Sequence, residues 1–168
     1  MGTSSTREFL GIYLNDHLAG AAGGVELARR LARAHRGSDD AERLTRLAAD
    51  IAADRGALLS ILRSLGIPVR RYKSAAARAA EKAGRLKFNG RLLSRSPLSD
   101  LVELEALRVA VEGKAAGWRT LLDVADQEPE LDAGRLRTLL ARADAQVTVL
   151  EELRIAAVDR AFRDTGAR

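Results

Sequence analysis

Along four stretches of this chain apolar residues recur three and four positions apart, the spacing that lays a stripe along one side of an α-helix. The first stripe is Leu10, Leu14, Ala21, Ala28 and Leu31, with His17 inside it. The second is Leu44, Leu47, Ile51, Leu58, Leu62 and Leu65, and the turn between Ile51 and Leu58 adds Asp54 and Arg55 to the same face. In the third stretch a broad arc of Leu98, Leu101, Val102, Leu104, Val109 and Leu122 has Glu105, Arg108, Glu112 and Arg119 near its middle. Its polar side is then Asp100, Glu103 and Lys114. The fourth stripe is Leu136, Leu140, Ala143, Val147, Leu150 and Val158, with Arg154 central and Asp144 and Glu151 on its flank.

Helix punctuation bounds these stretches. Ser5 with Glu8 reads as a capping box opening a helix over 6–36, stopped at Gly37. Asp39 with Glu42 repeats the device for a helix over 39–65, which ends at Gly66-Ile67-Pro68, where glycine permits a left-handed cap and proline forbids continuation. Ser96-Pro97 is an N-cap followed by proline at the first helical position, opening a helix over 97–125. Gln127-Glu128-Pro129 breaks the chain again before a helix over 132–163. The first and last connections are short and force antiparallel neighbours, whereas about thirty residues separate the second helix from the third. The expected fold is all-α: one antiparallel four-helix bundle spanning residues 1–168 with a single long crossover.

Composition agrees, since a chain of 168 residues can bury its own core, and alanine, leucine and 30% charged residues with only 4% aromatics favour helix over strand. With no cysteine, disulfides and thiolate ligands are excluded. Met1 to Glu8 has no apolar core of a signal peptide, and every later apolar run is broken by charge. A cytoplasmic address without a membrane span is the expectation.

Charge is distributed unevenly. Between Val69 and Ser96 the cations Arg70, Arg71, Lys73, Arg78, Lys82, Arg85, Lys87, Arg91 and Arg95 face Glu81 alone. The segment carries +8 where the whole chain sums to +5, so the remainder is about −3. Ser74 to Leu86 reads as an alanine-rich helix and Phe88-Asn89-Gly90 as a turn. Such a segment is either a solvated basic face or a surface for phosphates or acids. Tyr72 and Phe88 are its only aromatics, so stacking on single strands is disfavoured, and nucleic-acid binding is expected to be weak at most.

All four helices bring ionisable groups toward the expected bundle axis. Buried charges must pair, neutralise or bind a metal. Asp54, Glu105, Glu112, Asp144 and Glu151 against Arg55, Arg108, Arg119 and Arg154 supply enough of each sign to close an internal network. The alternative is an oxygen-rich Fe or Mn site made by His17, Asp54, Glu105, Glu112 and Glu151. His17 and His35 are the only histidines and lie eighteen residues apart, which excludes a histidine metal cluster within one chain. Gly20, Gly23 and Gly24 lie inside the first helix, each costing about 1 kcal/mol relative to alanine. Close helix packing, or room for a ligand beside His17, would offset that cost. Trp118, with Leu107, Val111 and Leu121, falls opposite the arc of Glu105 and Glu112, and this face is expected to be a partner surface, a homodimer favoured.

The plan of four long helices, two short loops and one long crossover resembles the ferritin-like bundles, the family of ferritins, bacterioferritins and rubrerythrin-type proteins. The likeness is sharpest at Leu58-Leu59-Ser60-Ile61-Leu62-Arg63-Ser64-Leu65-Gly66-Ile67-Pro68, which is similar to the leucine-rich, Gly-x-Pro ending seen in bacterioferritins. Di-iron members carry a Glu on the first and third helices and Glu-x-x-His on the second and fourth. Here Glu105 or Glu112 matches the carboxylate of the third helix and His17 stands where the first offers its Glu. The second helix has Asp50-Ile51-Ala52-Ala53-Asp54, and the fourth has Glu151-Glu152-Leu153-Arg154, an arginine where a histidine would sit. A permanent cation there opposes metal binding. The expectation is therefore a non-catalytic ferritin-like bundle without a cofactor, its metal centre replaced by internal salt bridges, acting as a scaffold or interaction protein.

Overall fold

The computed structural model describes residues 3–70 and 96–163, with side chains from Arg7 onward. The chain forms α1 (Thr3–Ala34), α2 (Ala41–Ser64), α3 (Pro97–Asp123) and α4 (Ala133–Phe162), with no strand among the described residues. The expected helix over 74–86, the turn at 88–90 and the cations from Arg71 to Arg95 lie outside the described residues.

The helix opening at Ser96-Pro97 follows its sequence signal, and the last helix starts where expected, with a cap not assigned from the sequence. Ser96 is extended and its Oγ accepts a hydrogen bond from Ser99 N at 3.2 Å, and Asp132 accepts one from Arg135 N at 2.9 Å. The other two starts differ from those expected at Ser5 and Asp39. α1 begins ahead of Ser5, and α2 is preceded by Asp40, whose side chain makes no cap hydrogen bond and instead lies 3.6 Å from Arg43 and 3.8 Å from Arg160. The α1–α2 turn contains Gly37 at φ +85°. After α2, Gly66 at φ +65° lets Gly66 N donate to Arg63 O and Ile67 N to Leu62 O, satisfying the last carbonyls of the helix.

The exit from α2 is then fastened to α1. Asn15 is 2% exposed; its Nδ2 donates to Gly11 O at 2.8 Å and Pro68 O at 3.2 Å, and its Oδ1 accepts from Arg70 N at 2.7 Å. Arg7 donates to Leu65 O at 2.9 Å on the same side. Asn15→Ala is expected to cost about 2 kcal/mol in urea unfolding, because it removes three hydrogen bonds made by a buried side chain. A loss below about 0.5 kcal/mol would show that the clamp contributes nothing.

Neighbouring helices run antiparallel. On α1 and α3, Tyr13 shares a 3.1 Å hydrogen bond with Thr120, His17 packs on Gly117, and Arg30 pairs with Glu103 at 3.1 Å. On α3 and α4, Arg119 pairs with Asp144 and Arg108 with Glu151. On α2 and α4, Arg43 pairs with Glu152 and Asp54 with Arg142. α2 ends beside the start of α1, at Arg7, whereas α3 begins beside its end, where His35 Nε2 is 3.3 Å from Asp100. Residues 66–96 therefore join opposite ends of the bundle.

The stripes of α1 and α2 point inward as their spacing predicts: Leu10, Leu14, Ala28 and Leu31, and all six apolar residues of α2, are buried. On α4 the seam is Leu136, Leu139, Ala143, Gln146, Leu150, Leu153 and Ala157, turned slightly from the expected face; Leu140, Val147 and Val158 pack at its margin. On α3 the expectation holds for Leu101 and Leu104 but not for the face as a whole. Its buried side is Leu101, Leu104, Leu107, Val111, Ala115, Trp118 and Leu121, while Leu98 and Val109 are exposed, Val109 at 70%. α3 is apolar almost all round, and the side offering four leucines and a tryptophan removes more apolar surface from water than the side with Leu98 and Val109.

Candidate functional site

Asp54 is the charged group that the fold buries most completely, at 1% exposure. It lies one turn after Ile51 and one before Leu58 on the inward face of α2, so burial of its neighbours carries it inside. Three side chains from two other helices meet its carboxylate. Lys114 Nζ of α3 donates to Oδ2 at 2.5 Å, Gln146 Nε2 of α4 donates to Oδ2 at 3.0 Å, and Arg142 Nε of α4 donates to Oδ1 at 2.8 Å with a second bond from Nη2. Lys114 also donates to Gln146 Oε1. Burial pulls the Lys114 ammonium below its ordinary range, and the adjacent Asp54 carboxylate opposes that shift. With two cations and an amide around one carboxylate, the buried charge is paired and hydrogen-bonded, the condition under which such a group is tolerated.

Apart from Arg55, the remaining expected members of the internal network pair with one another, but outside the core. Arg108 lies 3.8 Å from Glu112 and 3.4 Å from Glu151; Arg154 lies 2.7 Å from Glu151 and 4.0 Å from Glu105; Arg119 lies 3.1 Å from Asp144. These form a ladder on the α3–α4 seam in which Glu105, Glu112, Arg119 and Asp144 are about half exposed. The hydrogen bond from Arg154 holds the Glu151 carboxyl below its usual range and raises Arg154 in turn. Exposed pairs of this kind stabilise little. Lys114, expected on the polar side of α3, is the residue that reaches inward, and Asp100 and Glu103 lie partly buried beside α1. Arg142 and Gln146 were not among the expected site residues.

The residues proposed as metal ligands do not converge. His17 packs on Gly117 and Tyr13, Asp54 is occupied by two cations, Glu105 and Glu112 are on the outer seam, and Glu151 is held by Arg154. Among the described residues no three His, Asp or Glu side chains are grouped to hold a metal ion. The donor set does not fit an Fe or Mn centre.

Beside the Asp54 cluster is a cavity of about 450 Å³ lined by α1, α2 and α3. Leu14, Leu58, Leu107, Val111 and Leu121 give it apolar walls, and the exposed Gly20 and Gly113 on its lining bring it to the surface. A Cβ at either glycine would meet nothing within 4 Å, whereas at Gly24 it would touch Ala110 at 3.9 Å and at Gly117 it would press on His17 at 3.2 Å. Gly117 thus serves the close approach of His17, Gly24 has ordinary contact to spare, and Gly20 leaves room on the cavity lining. Burial lowers His17 below 6.5, and Asp16 offsets part of the shift. Arg55, expected in the internal network, lines this cavity and makes no ion pair among the described residues; its buried Nε has no hydrogen-bond partner. Trp118 also lines it. At 2% exposure, with Nε1 equally unpartnered, Trp118 belongs to the core, and the expected self-association face of Trp118, Leu107, Val111 and Leu121 is interior to the bundle.

Of the basic surface, Arg70 is described and its backbone N is held by Asn15; Arg71, Lys73, Arg78, Lys82, Arg85 and Lys87 lie outside the described residues. No described helix is long and apolar enough to cross a membrane. No known protein family, curated protein or solved structure matches this chain.

Proposed function

We propose that this chain is a non-catalytic bundle on a ferritin-like plan, in which an ionic centre occupies the place of a metal and the protein acts by binding, as a scaffold or interaction module in the cytoplasm. The observation that carries this reading is Asp54, the inward carboxylate of α2, whose two oxygens are taken by Lys114, Arg142 and Gln146. Two fixed cations at that point repel a divalent ion, and they occupy the lone pairs that would ligate it. Glu151 and Asp144 are committed to Arg154 and Arg119 on the α3–α4 seam.

The test is metal analysis of protein purified without a histidine tag, followed by unfolding with and without added Fe(II), Mn(II) or Zn(II). The expected result is no stoichiometric metal and an unchanged midpoint. One tightly held ion per chain, or a midpoint that rises with metal concentration as ligand linkage requires, would replace this reading with the carboxylate-rich metal protein.

A further inference from the structure

The cavity between α1, α2 and α3 has the size and lining of a ligand site, and two of its lining residues carry a buried donor with nothing to bond. At about 450 Å³ it falls within the range, roughly 300 to 1,000 Å³, that holds small organic ligands. Its walls are mainly aliphatic, so an occupant must present an apolar body. Two polar atoms set the rest. Arg55 Nε and Trp118 Nε1 are buried without a hydrogen-bond partner, a condition native proteins rarely tolerate unless something else supplies the acceptor.

Charge decides what that acceptor is. Asp54 is already faced by Lys114 and Arg142, and Asp50 also acts on Lys114, so these charges are committed to one another. Arg55 on the cavity lining has no ion pair among the described residues, and Asp16, which lines the cavity with it, is exposed and forms none with it. One anionic group in the cavity would give Arg55 a charge-assisted partner. A phosphate would bring about two charges and more oxygens than the two vacant donors can serve, whereas a carboxylate brings one charge and two oxygens. We propose that the α1–α2–α3 cavity binds an apolar monocarboxylate, its carboxylate paired with Arg55, its body against Leu14, Leu58, Leu107 and Leu121, and Trp118 Nε1 donating a hydrogen bond to it.

Trp118 is the only tryptophan, so its fluorescence reports directly on the cavity. The full chain is titrated with decanoate and 1-naphthoate, a flexible and a rigid acid, and with decanol and decyltrimethylammonium as neutral and cationic controls, calorimetry supplying the affinities. At least one acid is expected to bind saturably, one per chain, about tenfold or more tighter than decanol, with no saturable response to the cation. Arg55→Met keeps an apolar stem and removes the charge; it is expected to weaken the acid about tenfold while leaving decanol within about twofold. Gly20→Leu fills the cavity from a position where a Cβ meets nothing, and is expected to abolish binding while the unfolding midpoint holds or rises. Failure of both acids to bind at about 1 mM, equal affinity for decanol, or full binding by Gly20→Leu would each overturn the assignment. None of these outcomes bears on metal content, so the ionic-centre reading stands or falls separately.

Discussion

Asp54→Ala is expected to lower the stability of the bundle by about 3 to 5 kcal/mol, the range for breaking a buried ion pair from one side. The loss does not come from the removed methylene. It comes from Lys114 and Gln146, which would be left partly or wholly buried with donors aimed at an absent carboxylate. Arg142 can swing outward, which keeps the effect from being larger. Glu112→Ala serves as the comparison: its side chain is 47% exposed and lies 3.8 Å from Arg108, so its removal is expected to change stability by less than about 0.5 kcal/mol. Urea unfolding of the two variants beside the parent checks the pair. If Asp54→Ala fell within about 1 kcal/mol of the parent, the carboxylate would have to be far less buried than its 1% exposure states.

Trp118→Arg is expected to abolish cooperative folding. The side chain is 2% exposed among Leu107, Val111 and Leu121, and a guanidinium in its place would meet no carboxylate in the core other than Asp54, whose oxygens are taken. Trp118→Ala is milder, removing packing for a cost of about 3 to 5 kcal/mol. Thermal melts followed by circular dichroism separate these effects, and sedimentation separates them from association. Were Trp118→Arg to keep a sharp melt and merely shift the protein to a smaller species, Trp118 would be at an interface between copies and not inside the bundle.

How far the sequence reveals this arrangement depends on how one-sided each helix is. α1 and α2 carry one apolar stripe each against polar backs, so Leu14, Leu31, Leu44 and Leu62 and the buried Asp54 are all legible from spacing. α3 offers apolar residues at nearly every angle, and its face is chosen only when α1 and α4 pack against it. That choice moves Glu105, Glu112 and Arg119 from the expected core to the surface and moves Lys114 the other way. Gln146 had a signal, because it continues the alternating three- and four-residue steps of Leu136, Leu139, Ala143, Leu150 and Leu153; reading only apolar letters hides it. Asn15 has none, since its role depends on where Pro68 and Arg70 arrive in space. The cavity was foreshadowed only by Gly20 beside His17.

The antiparallel arrangement of every neighbouring helix pair has an electrostatic corollary. Each helix presents roughly half a positive charge at its N-terminus and half a negative one at its C-terminus. With two helices pointing each way, these partial charges alternate around both ends of the bundle and their fields cancel at a distance. What an approaching ion senses is then set by side chains alone. Along the sequence those charges are divided unequally, +8 over residues 69–96 and about −3 over the rest.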